Sequence, residues 1–166
     1  MQLLCVLSLL VALVPGPQAT APKTPAAKPA AAPAAAAKGG ARTVELTGGD
    51  DMKYNTTTIT AKPGETLHIV LKSTGTIPKM AMAHNFVLLA LAADANEFIK
   101  SAAGAGATDY VPADKKAQVL ASTKLAGPGE TVEVTVKVPA KPGTYTYLCS
   151  FPGHFVAGMK GTLVVK

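Results

Sequence analysis

The residues best suited to chemistry lie in one short segment near the carboxyl end of the chain. Residues 149–161 read CSFPGHFVAGMKG and contain Cys149, His154 and Met159, with four residues in each interval. A thiolate, an imidazole and a thioether on one loop match copper in both oxidation states, because sulfur suits Cu(I) while imidazole also suits Cu(II). Zinc would leave the methionine unexplained. The spacing therefore predicts a copper-binding loop.

A type 1 (blue) copper site needs a second imidazole, and His84 is the candidate. Such sites combine two histidines and a cysteine with a weak axial methionine. His84 lies well upstream, in the segment MAHNFVL, just before a strand-like stretch. With one ligand at a strand end and three on a loop, the scaffold rather than the metal would fix the geometry. We therefore expect little rearrangement on a change of oxidation state, which favours fast electron transfer.

The remaining histidine and cysteine predict no second site. His68 lies between two aliphatic residues in TLHIVLK and has no sulfur neighbour, so we expect it at the surface of a strand. Cys5 falls in an apolar amino-terminal run that we expect to be removed. Cys149 is then the only thiol of the mature protein. In an oxidising compartment it must be buried, paired between chains or capped by a metal.

Composition divides the chain into three parts. Residues 1–21 contain an apolar run, 3–14, too short as a helix to cross a hydrocarbon core of about 30 Å and typical of a signal peptide. No Lys or Arg precedes the run, so an uncleaved, weak membrane anchor is the alternative. Residues 22–41 are almost wholly Ala, Pro, Lys and Gly and predict a disordered linker. Residues 42–166 form the folded domain. We expect an exported, periplasmic or otherwise extracytoplasmic protein whose membrane association is limited to the amino-terminal segment.

Charge argues against a nucleic-acid partner. The formal net charge of +6 is split between the linker lysines and the domain, and the domain contains no dense basic cluster with interleaved aromatic residues.

The domain has the sequence pattern of a β protein, with short strand-like segments separated by turn-forming residues. Short β-branched segments alternate with Gly, Pro, Asn and Asp, and TVEVTVKVP places four valines on one face. In GTYTYLC, Tyr145 and Tyr147 share a face with Cys149. Seven strands are predicted at these positions: 43–47, 56–60, 66–72, 85–90, 131–138, 143–149 and 161–165. The pattern indicates a Greek-key sandwich or barrel.

One stretch interrupts the strands. Residues 91–121 are rich in Ala, place Phe98 and Ile99 in a helix-like setting, and contain a flexible break at Gly104 to Gly106. We expect a helical flap with a loop, inserted between two strands.

From Gly48 to its end the sequence resembles the cupredoxin family, specifically the azurin and auracyanin group. The matching strings are GGDDMKYNTTTIT, IPKMAMAHNFVL, STKLAGPGETVEVTV and TYTYLCSFPGHFVAGMKGTLVV. The resemblance implies an all-β Greek-key barrel or sandwich of about eight strands with a helical flap. It also implies one type 1 copper ion bound by His84, Cys149 and His154, with Met159 as the weak axial ligand.

The resemblance further implies residues around the ligands. Asn85 and Ser150 match positions whose hydrogen bonds join the two ligand-bearing segments. In the family, the edge of the second histidine ring, here His154, emerges through an apolar patch where electrons pass. The residues matching that patch are Met52, Ile77, Met82, Pro152, Phe155 and Val156.

Two departures from azurins concern the site itself. Four residues separate His154 from Met159 where azurins have three, a spacing closer to auracyanin. Ala83 stands where azurins have a glycine whose carbonyl lies near copper. Both departures favour a four-coordinate site over one with a close backbone oxygen.

Three functions compete. The first is electron transfer between redox proteins such as cytochromes, oxidases or reductases. The second is copper storage or delivery, since Met52, Met80 and Met82 lie near the ligands by resemblance. An enzyme is the third and is disfavoured, because catalytic copper centres need further histidines and an open coordination position.

Overall fold

Two β-sheets form the framework of the protein, which a computed structural model describes over residues 40–166. The strands are β1 (Arg42–Gly48), β2 (Thr58–Ala61), β3 (Thr66–Ser73), β4 (Val87–Leu89), β5 (Val119–Ser122), β6 (Thr131–Lys137), β7 (Gly143–Leu148) and β8 (Lys160–Val165). One sheet has the order β1-β3-β6 and the other the order β2-β8-β7-β4-β5. The predicted all-β class with an inserted flap is confirmed, as a sandwich whose two sheets stay separate over the described range.

The predicted signal peptide, 1–21, and all but the end of the predicted linker, 22–41, lie outside the described residues. Between residues 40 and 166, no helix is long and apolar enough to span a bilayer.

The main core lies between the two sheets and extends to Cys149 and Met159, at the two ends of the predicted copper-binding loop. In β6 the valines turn inward while Glu133 and Lys137 stay outside, as the alternation predicts. In β7, Tyr145 and Tyr147 enter the same core and Cys149 continues their face. Leu148 points to the opposite side and is also fully buried. The strand that leads into the ligand loop is therefore covered on both faces, which holds that loop's starting point firmly.

A helical flap covers the outer face of β4 and β7. Its helix α1 spans Ala95–Ala102 and is capped at its amino end by Asp94. The Asp94 carboxylate accepts hydrogen bonds from the N–H groups of Asn96 (2.8 Å) and Glu97 (3.2 Å). Two 3-10 turns follow at Gly106–Thr108 and Ala113–Gln118. A second apolar cluster seals the contact, and we call it the flap cluster: Val87, Leu89, Phe98, Ala102, Leu148 and Phe155.

Two strand predictions need correction. β5 lies at the end of the segment assigned to the flap, because a four-residue strand after the Ala- and Lys-rich ADKKAQ carries too little pattern to stand out. β4 is shorter than 85–90. At the predicted start of this strand, the backbone makes a hydrogen bond to a side chain instead of to a neighbouring strand. The Phe86 N–H donates to the Thr123 hydroxyl at 3.0 Å.

The prediction for His68 was wrong. Its side chain points away from the core, as the alternation requires, yet the residue is only 7% exposed. Its Nε2 lies 2.9 Å from Oε2 of Glu133 on the neighbouring strand β6. His68 pairs with Thr135, and Glu133 lies two residues along β6 from that partner. Local sequence cannot reveal such a contact, which shields the imidazole from solvent.

Gly161 gives a test of packing next to the ligand loop. It pairs with Tyr147 across β7 and β8, and a Cβ there would collide with the end of the tyrosine ring and come within 2.7 Å of the Thr57 carbonyl. We expect Gly161→Ala to lower the free energy of unfolding of the copper-free protein by about 1–3 kcal/mol through overpacking. Gly104→Ala, in open space, is the matched control and should be neutral or slightly stabilising in the same urea titration. Equal effects of the two substitutions would contradict this packing.

Candidate metal centre

The ligand candidates come from two segments held by different elements. His84 precedes β4 and is held by a two-bond bridge to Ala126: its N–H donates to the Ala126 carbonyl (2.9 Å), and its carbonyl accepts from the Ala126 N–H (2.7 Å). Cys149 directly follows β7, His154 begins the single-turn helix α2 (His154–Ala157), and Met159 directly precedes β8. Strand ends and one short turn thus fix all four residues.

Folding brings His84, Cys149 and His154 into one buried cluster. Their donor atoms all lie within 4.8 Å of one another, and over the described range this is the one compact group of His, Cys, Asp or Glu residues able to hold a metal. Cys149 Sγ lies 3.4 Å from Nδ1 of His154, and the two imidazole centroids are 5.0 Å apart. His84 and Cys149 are fully buried and His154 is 2% exposed. The carbonyl oxygen of Ala83 also faces this group, 3.9 Å from the sulfur.

Met159 is fully buried beside the cluster, and a glycine makes room for it. A Cβ on Gly48 would lie 2.5 Å from Cε of Met159 and 3.2 Å from Cγ of His84. The main chain at Gly48 therefore packs directly against two of the four ligand candidates. Gly48 was not predicted from the sequence, because a glycine at a strand end has no local signal that separates close packing from a turn.

Burial keeps both imidazoles neutral. It lowers the pKa of His154 to about 4, with a further contribution from the neighbouring His84. Burial also lowers the pKa of His84, against the opposing effect of the Asp50 and Asp51 carboxylates and the Gly49 carbonyl. Both ring nitrogens of His84 are buried without meeting the geometry of any hydrogen bond. A buried nitrogen without a partner is costly unless something such as a metal ion satisfies it.

The thiol of Cys149 is held in its protonated form until a metal displaces the proton. Burial raises its pKa to about 12, although the backbone N–H groups of Asn85 and Phe151 face the sulfur and act in the opposite direction. A metal that binds thiolate overcomes this cost by replacing the proton. The same two N–H groups would then stabilise the charge on the sulfur.

Asn85 joins the two ligand-bearing segments. Its Oδ1 accepts the Ser150 N–H at 2.9 Å, and its Nδ2 donates to the Ser150 hydroxyl at 2.9 Å and to the Asp109 carbonyl at 2.8 Å. The hydroxyl of Tyr54 donates to the Asn85 carbonyl at 2.5 Å. Asn85 and Ser150 were expected from the family resemblance, whereas Tyr54 and Asp109 were not, because both reach Asn85 from other parts of the chain.

The six residues of the predicted apolar patch differ in exposure. Val156 is 84% exposed, Ile77 is 37% exposed, Pro152 is exposed, and Met52 and Met82 are half-buried. Phe155 is only 7% exposed, because its ring turns into the flap cluster and lies under the ammonium group of Lys160. Met80, which the prediction omitted, is 97% exposed at the tip of the turn before His84. Phe155 therefore adds little exposed area to the predicted patch, which would rest mainly on the other five predicted residues.

The sequence profile of the family described as copper binding proteins, plastocyanin/azurin family, matches residues 41–166. This protein belongs to that family. Azurin from Pseudomonas denitrificans is 40% identical over 126 residues, which cover 74% of this chain and 97% of the azurin. Outer membrane protein H.8 from Neisseria meningitidis serogroup B is 45% identical over 117 residues, 69% of this chain. The chain spans only 61% of the length of H.8.

A solved structure shows the same fold. The crystal structure of dithionite-reduced auracyanin from Roseiflexus castenholzii superposes with a TM-score of 0.67 at 34% identity, covering 77% of this chain and 99% of auracyanin. This cupredoxin therefore has its His84, Cys149, His154 and Met159 side chains positioned for a single copper site. The buried sulfur and the unpartnered imidazole of His84 fit that ion.

Gly48 provides a test of how tightly the ligands are packed. In Gly48→Ala the added methyl group must displace the Met159 thioether or the His84 ring, so we expect a changed visible absorption and electron paramagnetic resonance spectrum of the copper-loaded protein. Overpacking should also cost about 1–3 kcal/mol of unfolding free energy. Gly49→Ala is the neighbouring control, since its nearest atoms are 3.3 Å away in the Asp51 and Thr74 side chains. Unchanged spectra for Gly48→Ala would show that Gly48 does not constrain the ligands.

Proposed function

We propose that this protein is an exported carrier of single electrons between redox proteins such as cytochromes, oxidases or reductases. His84, Cys149 and His154 would bind the copper ion, with Met159 as a weak axial ligand. When bound, copper supplies the one-electron chemistry by alternating between Cu(II) and Cu(I). The observation that carries the proposal is the buried His84–Cys149–His154 cluster, with the strongly exposed Val156 two residues after His154.

The contribution of the polypeptide is to restrict the motion of these side chains and to exclude water from them. His84 is fixed by its bridge to Ala126, and the loop that bears the other three is fixed through Asn85 and Ser150. Because these contacts lie within the protein, they persist whichever charge the site carries. Burial excludes water, so little solvent must reorganise around the ligands. Both effects favour fast electron exchange.

The apolar patch is the proposed docking surface. His154 begins α2, and the strongly exposed Val156 lies on the same turn. Pro152 precedes this turn, so surface and ligand belong to one short segment. An apolar surface without fixed charge pairs suits brief contacts with several partners, which a mobile electron carrier requires. Electrons would pass through the edge of His154.

Copper storage or delivery is the second candidate, favoured by one observation. The almost fully exposed Met80 lies four residues before His84, where a soft ligand could first meet Cu(I). The burial of all four main ligands argues for slow metal exchange. Rapid release of copper to a competing chelator would favour delivery over electron transfer.

Catalysis at this copper site is disfavoured within the proposal. A catalytic copper centre needs further histidines, and the chain's one other histidine, His68, is paired with Glu133. Oxidase or nitrite reductase activity of the isolated protein would overturn this part of the proposal.

The docking surface can be tested by electron self-exchange, in which two copies meet patch to patch. In Val156→Glu two carboxylates would face each other, and we expect exchange to slow about tenfold or more. Leu120→Glu places the same charge on β5, at an apolar residue that is 40% exposed and outside the patch, and should leave the rate nearly unchanged. The rate is measured by nuclear magnetic resonance line broadening in mixtures of oxidised and reduced protein. Equal slowing by both variants would reject the patch as the docking surface.

Export and tethering form the remaining part of the proposal. We infer that residues 1–21 direct export and that residues 22–41 form a linker between the amino-terminal segment and the domain. The relative H.8 is an outer membrane protein, which supports this inference. We expect the intact mass of the mature protein to correspond to a chain beginning near residues 20–22. A full-length mass in the membrane fraction would instead indicate an uncleaved anchor.

A further inference from the structure

Two consecutive residues at the end of the flap adopt an unusual backbone conformation. Asp109 and Tyr110 have φ angles of 53° and 59°, in the left-handed region that side chains other than glycine rarely adopt. Aspartate tolerates this region, but a bulky tyrosine does so only where surrounding contacts enforce it. We call these two residues the flap corner. Neither of them is a ligand candidate.

The first contact of the flap corner is with Asn85. The carbonyl oxygen of Asp109 accepts a hydrogen bond of 2.8 Å from the Asn85 side chain. The same Asn85 amide bonds to the backbone and the hydroxyl of Ser150. Asp109 therefore supplies a third attachment, from the flap, to the residue that already joins the two ligand-bearing segments.

The second contact is with Phe151. The Tyr110 ring meets the Phe151 ring edge to face, with centroids 5.2 Å apart and planes at 71°. Phe151 in turn contacts the imidazole of His154 at a centroid distance of 4.8 Å. Tyr110 also packs against both the main core and the flap cluster, so its position is fixed from two sides.

These two contacts converge on the sulfur of Cys149. Asn85 is bonded to Ser150, the residue after Cys149, and Phe151 packs on the His154 ring. These are the two residues that the flap corner holds, and their backbone N–H groups lower the pKa of the Cys149 thiol, as donors to its sulfur do. We propose that the flap corner positions these two N–H groups toward the Cys149 sulfur and thereby raises the reduction potential of the bound copper. Asp109 and Tyr110 are positioning residues in this scheme. The inference rests on the proposed electron-transfer function.

The direction of the effect follows from charge. Reduction adds one electron to the site, so the reduced form places more negative charge near the thiolate than the oxidised form does. Hydrogen bonds to the sulfur stabilise the more negative form more strongly. Loosening them therefore lowers the reduction potential.

The test compares three variants of the full protein. Tyr110→Asn removes the ring but keeps a residue that tolerates a positive φ angle, and we expect a lower reduction potential than in the wild type. Tyr110→Phe keeps the ring and should restore the wild-type potential. Asp94→Ala removes the hydrogen bonds that cap helix α1 and controls for general loosening of the flap. If Tyr110→Asn does not fold, Phe151→Leu breaks the same ring contact from the other side.

A readout without copper accompanies the potentials. Amide hydrogen exchange at Asn85 and Phe151 in the copper-free protein should speed up in Tyr110→Asn and stay as in the wild type in Tyr110→Phe. An unchanged potential in Tyr110→Asn, or an equal shift in Asp94→Ala, would overturn the inference. A wild-type protein that forms no strongly coloured copper complex would instead overturn the proposed function, so the two failures are distinguishable.

Discussion

The hydrogen bonds of one side-chain amide join the two segments that carry the ligand candidates. His84 and the loop bearing Cys149, His154 and Met159 come from distant parts of the sequence, and Asn85 fastens them together through the backbone and hydroxyl of Ser150. Both partners are buried, so this connection is not weakened by competing water. Loss of the amide would leave buried polar groups of Ser150 without partners and loosen the junction between the two segments.

The rest of the structure supports that connection from several sides. Tyr54 donates to the Asn85 carbonyl, the bridge to Ala126 holds His84, and the flap reaches Asn85 through Asp109. Strand β7 is buried on both faces and thereby fixes the position of Cys149, which directly follows it. The fold itself thus brings the donor atoms together. Folding energy keeps together a buried thiol and two neutral imidazoles that would otherwise prefer water.

The sequence was sufficient to identify the fold class and the four ligand candidates, because sulfur and imidazole at fixed spacing are rare by chance and strand alternation is local. The Asn85–Ser150 connection was expected only from the resemblance to cupredoxins. It was insufficient wherever a long-range contact decides the outcome. His68 is buried by Glu133 across the sheet, Phe155 turns inward to meet the flap, and β5 is short and defined by its pairing with β4. The flap corner and Gly48 have no local signature, since their roles consist of what they touch.

Titration of the copper-free protein with Cu(II), followed by visible absorption, tests the central claim most directly. A buried thiolate bound to Cu(II) among two imidazoles should give an intense blue colour that grows in proportion to added copper and stops at one ion per chain. A pale complex, typical of copper bound by nitrogen and oxygen alone, would contradict the account. So would colour that continues to grow beyond one ion per chain.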